Sequence, residues 1–330
     1  DDNDYEPAQC TNRLQVSGTV RMSSPEQPTK RITSSQFRVR LRARHLTGTL
    51  FVALAMIGTT IGVVLLAVLL FEVARDGVRF LSLDFLNSFP SRKPELAGFK
   101  SALWGSIWLI TFTALWAFPL GVGAAIYLEE YASKNRVTSL IQINVSNLAS
   151  VPSIVFGLLG LQLFVRGTVG IGPDFGGFGR SVLAGSLTLA LLILPVVIVA
   201  AQEAIKAVPS STREASYGLG ATRWQTIQHH VLPQALPGIM TGTILAIARA
   251  IGETAPLIVL GAFTFVAFTP SGVLDSFTAM PIQIYSWTSR PQADFQDLAA
   301  SGILVLLFVL LTMNTIAVFL RHRFGHLTKN

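Results

Sequence analysis

The sequence predicts an all-α polytopic membrane protein with six transmembrane helices, on three observations. Hydrophobic residues make up 51% of the 330 and charged residues only 13%, against about 25% charged in soluble domains. The apolar residues gather into six stretches of the length, about 20 residues, that a hydrocarbon core requires. Lys and Arg favour alternate connections: 14 lie in 30–44, 129–136, 203–233 and 321–330, and 8 lie in 72–100, 166–180 and 269–297. Under the positive-inside rule the first set, with both termini, faces the cytoplasm. The net charge of +7 therefore reports topology rather than nucleic-acid binding.

Residues 1–45 are polar, rich in Ser, Thr, Pro and Gln, and predict a mostly disordered cytoplasmic tail. Met22 offers an alternative start, which makes the first 21 residues candidate upstream sequence. Lys30, Arg31, Arg38, Arg40, Arg42 and Arg44 read as a topology signal ahead of the first span. The charge-free run Leu46–Phe71 is too long for a signal peptide and predicts the first transmembrane helix, 46–72. An external loop follows over 73–97. The core, 98–325, holds five more spans: Ser101–Leu128 with Pro119 as a kink, Val137–Val165, Ser181–Gln202, a charged span from near Gln234 to near Phe268, and Leu298–Leu320. A cytoplasmic tail, 326–330, closes the chain.

Several features carry no chemistry. Cys10 is the single cysteine, which excludes an internal disulfide and a cysteine-rich metal site. The sequon Asn144-Val-Ser146 lies inside an apolar span and reads as chance. Gly167–Gly179 lacks a following Gly-Lys-Ser/Thr, so it predicts an external turn and no phosphate-binding loop. Adjacent His229 and His230 point to different helix faces, against a metal site. Metalloprotease and hydrolase motifs do not occur.

Two stretches break the rule of their surroundings. The first, 209–233, is a polar connection between very apolar regions. Ser211-Thr-Arg-Glu214 and Thr222-Arg-Trp-Gln225 both have capping-box spacing. Gly218 and Gly220 permit the positive φ of a turn, and Pro233 predicts a helix stop. Two short helices joined by a glycine turn are expected, either a peg for another protein or an ordinary connector. Glu214-Ala215-Ser216, then Gly220, then His230-Val-Leu232-Pro233 resembles the EAA loop of ABC-importer permeases. That family's pattern is Glu-Ala-Ala, three residues, Gly, nine residues, Ile-x-Leu-Pro; Ser216 replaces the second alanine and His230 the isoleucine. The resemblance implies that Glu214, Ala215, Ser216, Gly220, Leu232 and Pro233 belong to a coupling helix seated in a groove of a cytoplasmic ATPase.

The second stretch is the charged span. Charges at bilayer depth cost about 2.5–3.5 kcal/mol each and face protein or a water-filled path. At 100° per residue, Gly238, Ala246, Arg249, Glu253 and Pro256 fall within about 40° of Gly242, a face suited to close helix approach and a cavity. Ile244, Ile247, Ile251 and Ile258 take the opposite face, suited to lipid or an apolar neighbour. Arg249 and Glu253 either neutralise each other or serve an anion, which a guanidinium grips with two parallel hydrogen bonds. Asn147, Ser150 and Ser153 in the third span offer uncharged donors, with helix packing as the competing role.

Ala248-Arg-Ala-Ile-Gly-Glu-Thr-Ala-Pro256 and Asn147-Leu-Ala-Ser-Val-Pro-Ser-Ile-Val-Phe-Gly157 are similar to phosphate-specific permeases, and to their PstA-type subunit more than to its C-type partner. The resemblance covers about residues 98–325. It implies a type I ABC-importer (MetI-like) permease fold in a prokaryotic cell membrane, forming half of a path for inorganic phosphate. It implies assembly with the related C-type permease subunit, two copies of a cytoplasmic ATPase and an external phosphate-binding protein. No Walker motif is present, so ATP-Mg belongs to the partner ATPase, and no cofactor is expected in this chain. The resemblance also places Arg249 in the translocation path, with Glu253 as a positioning or gating partner. The rivals are an importer of the same fold for sulfate or molybdate, and an ATP-independent secondary transporter or channel. A membrane enzyme lacks a catalytic constellation.

Overall fold

A computed structural model of the chain describes residues 41–133, 135–168, 170, 176–262 and 265–325. The expected tail lies outside them as far as residue 40, with Cys10 and Met22, and so does the short tail 326–330. The chain divides into two units at Gly62 and Val63. Helix α1 (Leu41–Gly77) starts in the first. No residue of its most apolar stretch is buried; its backbone polar groups are satisfied within the helix, which is what a lipid solvent demands.

The second unit is a helical bundle. A short α2 (Leu83–Asn87) leads to α3 (Lys100–Ile126), which continues as a π-turn over Tyr127–Tyr131. Then come α4 (Arg136–Leu148), α5 (Ser153–Gly160), α6 (Val182–Lys206), α7 (Ser210–Gly218) and α8 (Arg223–Thr226). A π-turn, Ile227–Val231, joins α8 to α9 (Leu232–Gly252), followed by α10 (Ala255–Leu260), α11 (Met280–Thr288) and α12 (Ala293–Gly325). Among the described residues there is no strand beyond an isolated bridge, Ser181 to Ser276. Among the described residues, five helices are long and apolar enough to cross a membrane: α1, α3, α6, α9 with α8 and the π-turn before it, and α12.

Small residues let the bundle close around α6. A β-carbon at Gly238 of α9 would lie 2.8 Å from the Ala204 β-carbon, and Gly242 meets Ala200 one turn on. Gly121 of α3 abuts Val197, and Gly160 of α5 abuts Thr188. The small face predicted for α9 is thus a helix-packing face. Ile244, Ile247 and Ile251 are also buried, Ile251 in a cluster with Leu306, Val309 and Met313 of α12. Ile258 stays exposed. Near the start of α3, Phe85 stacks on Phe99 and both meet a tilted Trp287, with ring centroids 5.5–6.0 Å apart.

Prolines correct two expected spans. The third, expected as one helix over Val137–Val165, is the pair α4 and α5 with its terminal turn, bent by 102°. Pro152 sits between them in an extended conformation (φ −54°, ψ 135°). The fifth is not continuous either: α9 ends at Gly252, and Glu253 is extended (φ −75°, ψ 114°). Pro256 lacks the N–H that would bond to the Gly252 carbonyl, and instead it opens α10. Counting the bent pair as one span gives six. Pro119 lies inside the uninterrupted α3.

The connection after α10 returns to cap the α6 N-terminus. Val182 N–H donates to Asp275 O (3.0 Å) and Leu183 N–H to Val273 O (2.8 Å). Asp275 Oδ2 accepts from Ser271 N, Ser271 Oγ and Gly272 N, each at 2.8 Å. Hydrogen bonds from Ser271, aided by the one from Gly272, hold this carboxyl below its ordinary range.

Candidate translocation and coupling sites

The polar loop forms a compact knot at the C-terminal end of α6. Two short helices joined by a turn are present, α7 and α8, but built differently from the expectation. Pro209 precedes α7 and no side chain caps it, so the Ser211–Glu214 box does not form. A proline at the N-cap fixes the entry backbone and leaves Ser211 inside the first turn. The Thr222–Gln225 box does form, in both directions. Gly220 takes the positive φ (84°) and Gly218 does not. Pro233 stops nothing: the π-turn before it lets Leu232 N–H reach Ile227 O, so the helix passes through a position where proline has no N–H to place.

Of the predicted coupling residues, Glu214, Ala215, Gly220 and Pro233 are exposed, Leu232 is half-buried and Ser216 is buried. His230 is exposed where the family pattern has isoleucine. Leu219 is 91% exposed, and Tyr217 and Trp224 of the same loop are exposed as well. An apolar surface this open, on a knot this well tied, suits a partner groove. Ser216 Oγ shares a 2.8 Å hydrogen bond with Thr226 Oγ1. The serine that departs from the motif therefore staples α7 to α8.

Sequence reasoning missed the knot's main tie. Arg213 donates to Glu130 Oε1 from Nη2 (2.7 Å) and Nε (3.1 Å). It also donates to the carbonyls of Val208 (Nη1, 2.8 Å) and Ile205 (Nη2, 3.0 Å). Arg223 lies over the Tyr131 ring, 5.5 Å from its centroid. Glu129 accepts from Gln202 (3.0 Å) and faces Lys206 at 3.4 Å. The signal was present: two acidic residues end the second span, and three basic ones lie in the loop assigned to the same membrane face.

The second site lies where the two broken spans meet. Gly157 of α5 packs on Pro256 and Val259 of α10; a β-carbon at Gly157 would lie 2.7 Å from Pro256 Cα. Val151, within the α4–α5 bend, packs against a cluster holding Ala246, Ile247 and Ala250. The two groups of candidate residues thus flank adjoining breaks. Arg249 Nε meets Glu253 Oε1 at 3.3 Å, with 54% and 19% of the side chains exposed. The other guanidinium nitrogens hydrogen-bond to no described residue, so the fork remains open. Asn147 and Ser150 are exposed and Ser153 is half-buried; Ser150 Oγ donates to Asn147 O at 2.7 Å. Among the described residues, none of these three bonds to Arg249 or Glu253. No cluster of three metal-ligating side chains occurs among the described residues.

Residues 117–329 match the model of a family described as "Binding-protein-dependent transport system inner membrane component". The phosphate transport system permease protein PstA 1 of Mycobacterium tuberculosis is 34% identical over 318 residues, 93% of this chain and 96% of its own. The PstA protein of Haemophilus influenzae is 32% identical over 88% of this chain and 99% of its own. The probable ABC transporter permease protein YqgI of Bacillus subtilis is 33% identical over 73% and 84%. Among solved structures, the fold is similar to a chain of a bacterial alginate ABC transporter (TM-score 0.63, 17% identity, 86% of this chain and 98% of that one). It is also similar to a chain of the MetNI methionine ABC transporter (TM-score 0.53, 16% identity, 68% and 94%).

Proposed function

Because the chain belongs to the binding-protein-dependent transport system inner membrane components, among the phosphate permeases of PstA type, we propose that it is the permease subunit of an ATP-driven importer of inorganic phosphate. The observation that supports this reading most is the open Arg249 fork beside two adjoining helix breaks. A guanidinium with free paired donors suits a tetrahedral oxyanion. Interrupted helices near the middle of a membrane supply backbone and side-chain donors that a continuous helix withholds. In this reading Arg249 contacts the anion and Glu253 holds or releases it. Asn147, Ser150 and Ser153 are the uncharged donors along the path.

The chain supplies half of the pathway and pairs with the related C-type permease subunit. Two copies of a cytoplasmic ATPase bind ATP-Mg, and an external binding protein delivers phosphate. The α7–α8 knot seats in the ATPase groove, with Glu214, Ala215, Leu219, Gly220 and Pro233 on or beside the docking face. Both termini then lie in the cytoplasm of a prokaryotic cell, as the distribution of Lys and Arg argues. ATP-driven closure of the ATPases draws the knots together and rocks the bundle between outward and inward openings.

The test is uptake of radiolabelled phosphate by the reconstituted four-component complex, with sulfate and molybdate as competitors. Uptake is expected only with ATP and the binding protein, undiminished by either competitor. Preferred uptake of sulfate or molybdate would replace the substrate, and uptake without ATP would favour a channel or secondary transporter.

A further inference from the structure

Arg213 precedes the motif glutamate and turns the opposite way. Glu214 is exposed, whereas Arg213 is 22% exposed and reaches inward to a Glu130 carboxylate that is 7% exposed. Its guanidinium gathers three chain segments: α7, the π-turn that ends α3, and the carbonyls of Ile205 and Val208 at the end of α6. A cation there also meets the negative end of the α6 dipole. About one turn further along α7, Ser216 holds α8 through Thr226. We propose that Arg213 and Glu130 form the strut that transmits movement of the coupling helix to α3 and α6, a positioning role that rests on the coupling reading above.

When a partner displaces α7, either α3 and α6 follow, or four hydrogen bonds from one guanidinium break, two of them to a carboxylate. Charge-assisted bonds in a largely buried setting are the strong kind. The strut therefore holds and the helices follow. The fork also explains the choice of arginine: lysine could meet Glu130 but not two carbonyls on a different segment as well.

The test uses the whole complex with Arg213→Gln, Glu130→Gln, Arg213→Lys, and a thiol pair, Glu130→Cys with Arg213→Cys in a Cys10→Ser background. Three quantities are read: ATPase retained by the membrane subunits, ATP hydrolysed, and phosphate moved per ATP. The exposed docking face is untouched, so the ATPase is expected to stay bound and to keep hydrolysing. Phosphate moved per ATP is expected to fall about tenfold in the glutamine variants, within the range of a coupling free energy, and by less in Arg213→Lys. The reduced thiol pair should be uncoupled, and a short bifunctional thiol reagent should recover the ratio. An unchanged ratio in the assembled variants overturns the strut, and so does loss of the ATPase, which would make Arg213 a docking residue. Should the two membrane subunits fail to pair with each other in the glutamine variants, the thiol pair decides: no recovery on bridging contradicts the proposal. The ratio is taken for whichever oxyanion the unaltered complex carries, so a different substrate would revise the function and leave this test intact.

Discussion

Arg213 meets Glu130 through two nitrogens, at 2.7 and 3.1 Å, with 22% and 7% of the side chains exposed. Arg249 meets Glu253 through one nitrogen at 3.3 Å, with 54% and 19% exposed. The first pair joins residues 83 apart in sequence and the second joins residues four apart. The nearer pair in sequence is the looser one in space. Its helix ends at Gly252, so Glu253 leaves the regular i,i+4 geometry, and the guanidinium stays half open. The distant pair is fixed by the segments it ties. In the proposed reading, the first pair keeps its partner through a motion and the second exchanges its partner for an anion.

Removing one carboxylate at a time tests that difference most strongly. Glu130→Ala leaves a largely buried guanidinium without countercharge, and it is expected to destabilise the protein by about 3–5 kcal/mol. Glu253→Ala leaves Arg249 with access to solvent, and it is expected to cost about 1 kcal/mol or less. Denaturant midpoints of the purified subunit in detergent measure both; equal shifts would erase the distinction.

The turn sharpens the picture of the rigid end. Gly220 has positive φ and open space around it, whereas Gly218 is an ordinary helical position with equal room. Gly220→Val is therefore expected to cost about 1–2 kcal/mol through backbone strain alone. Gly218→Ala should be neutral or stabilise by up to about 1 kcal/mol. Similar losses in the two, by the same unfolding measurement, would show that contacts absent from the isolated chain decide both sites.

Asp275 offers a third way to hold a carboxylate, by hydrogen bonds with no arginine. Its folded pKa is depressed, so its contribution is present above the unfolded value of about 3.9 and is lost as pH falls through the folded value. Asp275→Asn should lower stability slightly at neutral pH, where the charge contributes, and flatten its loss below about pH 4, where the two proteins converge. An unaltered acid limb would show that the loop gains nothing from the charge. This is the smallest of the expected effects.

The spans were legible because charge-free runs of membrane length admit few alternatives. Their breaks were not. Pro119, Pro152, Pro233 and Pro256 look alike in sequence, yet Pro119 sits inside a continuous helix, Pro233 is carried by a π-turn, and Pro152 and Pro256 mark true interruptions. What separates them is tertiary packing, such as Gly157 against Pro256, which no local pattern reports. At the polar loop, four of the six motif positions are exposed, Ser216 is buried, and Leu219, 91% exposed, lies outside them. The motif spacing gave no sign that Ser216 would bond to Thr226, because the two positions carry no periodicity of their own. The Arg213–Glu130 tie needed charges matched across separate spans, a comparison that motif reading does not make.

In the proposed function, the loose pair serves an anion rather than itself. The variant Arg249→Gln with Glu253→Gln removes both charges while keeping side-chain volume and hydrogen-bonding capacity. Phosphate uptake normalised to assembled complex is the direct measurement, with Arg249→Lys alongside to separate charge from fork. The double variant is expected to give an assembled complex with intact ATPase binding and no uptake above background, and the lysine variant poor uptake. Near-normal uptake by the neutral double variant would contradict this reading and leave Arg249 and Glu253 as partners of each other alone.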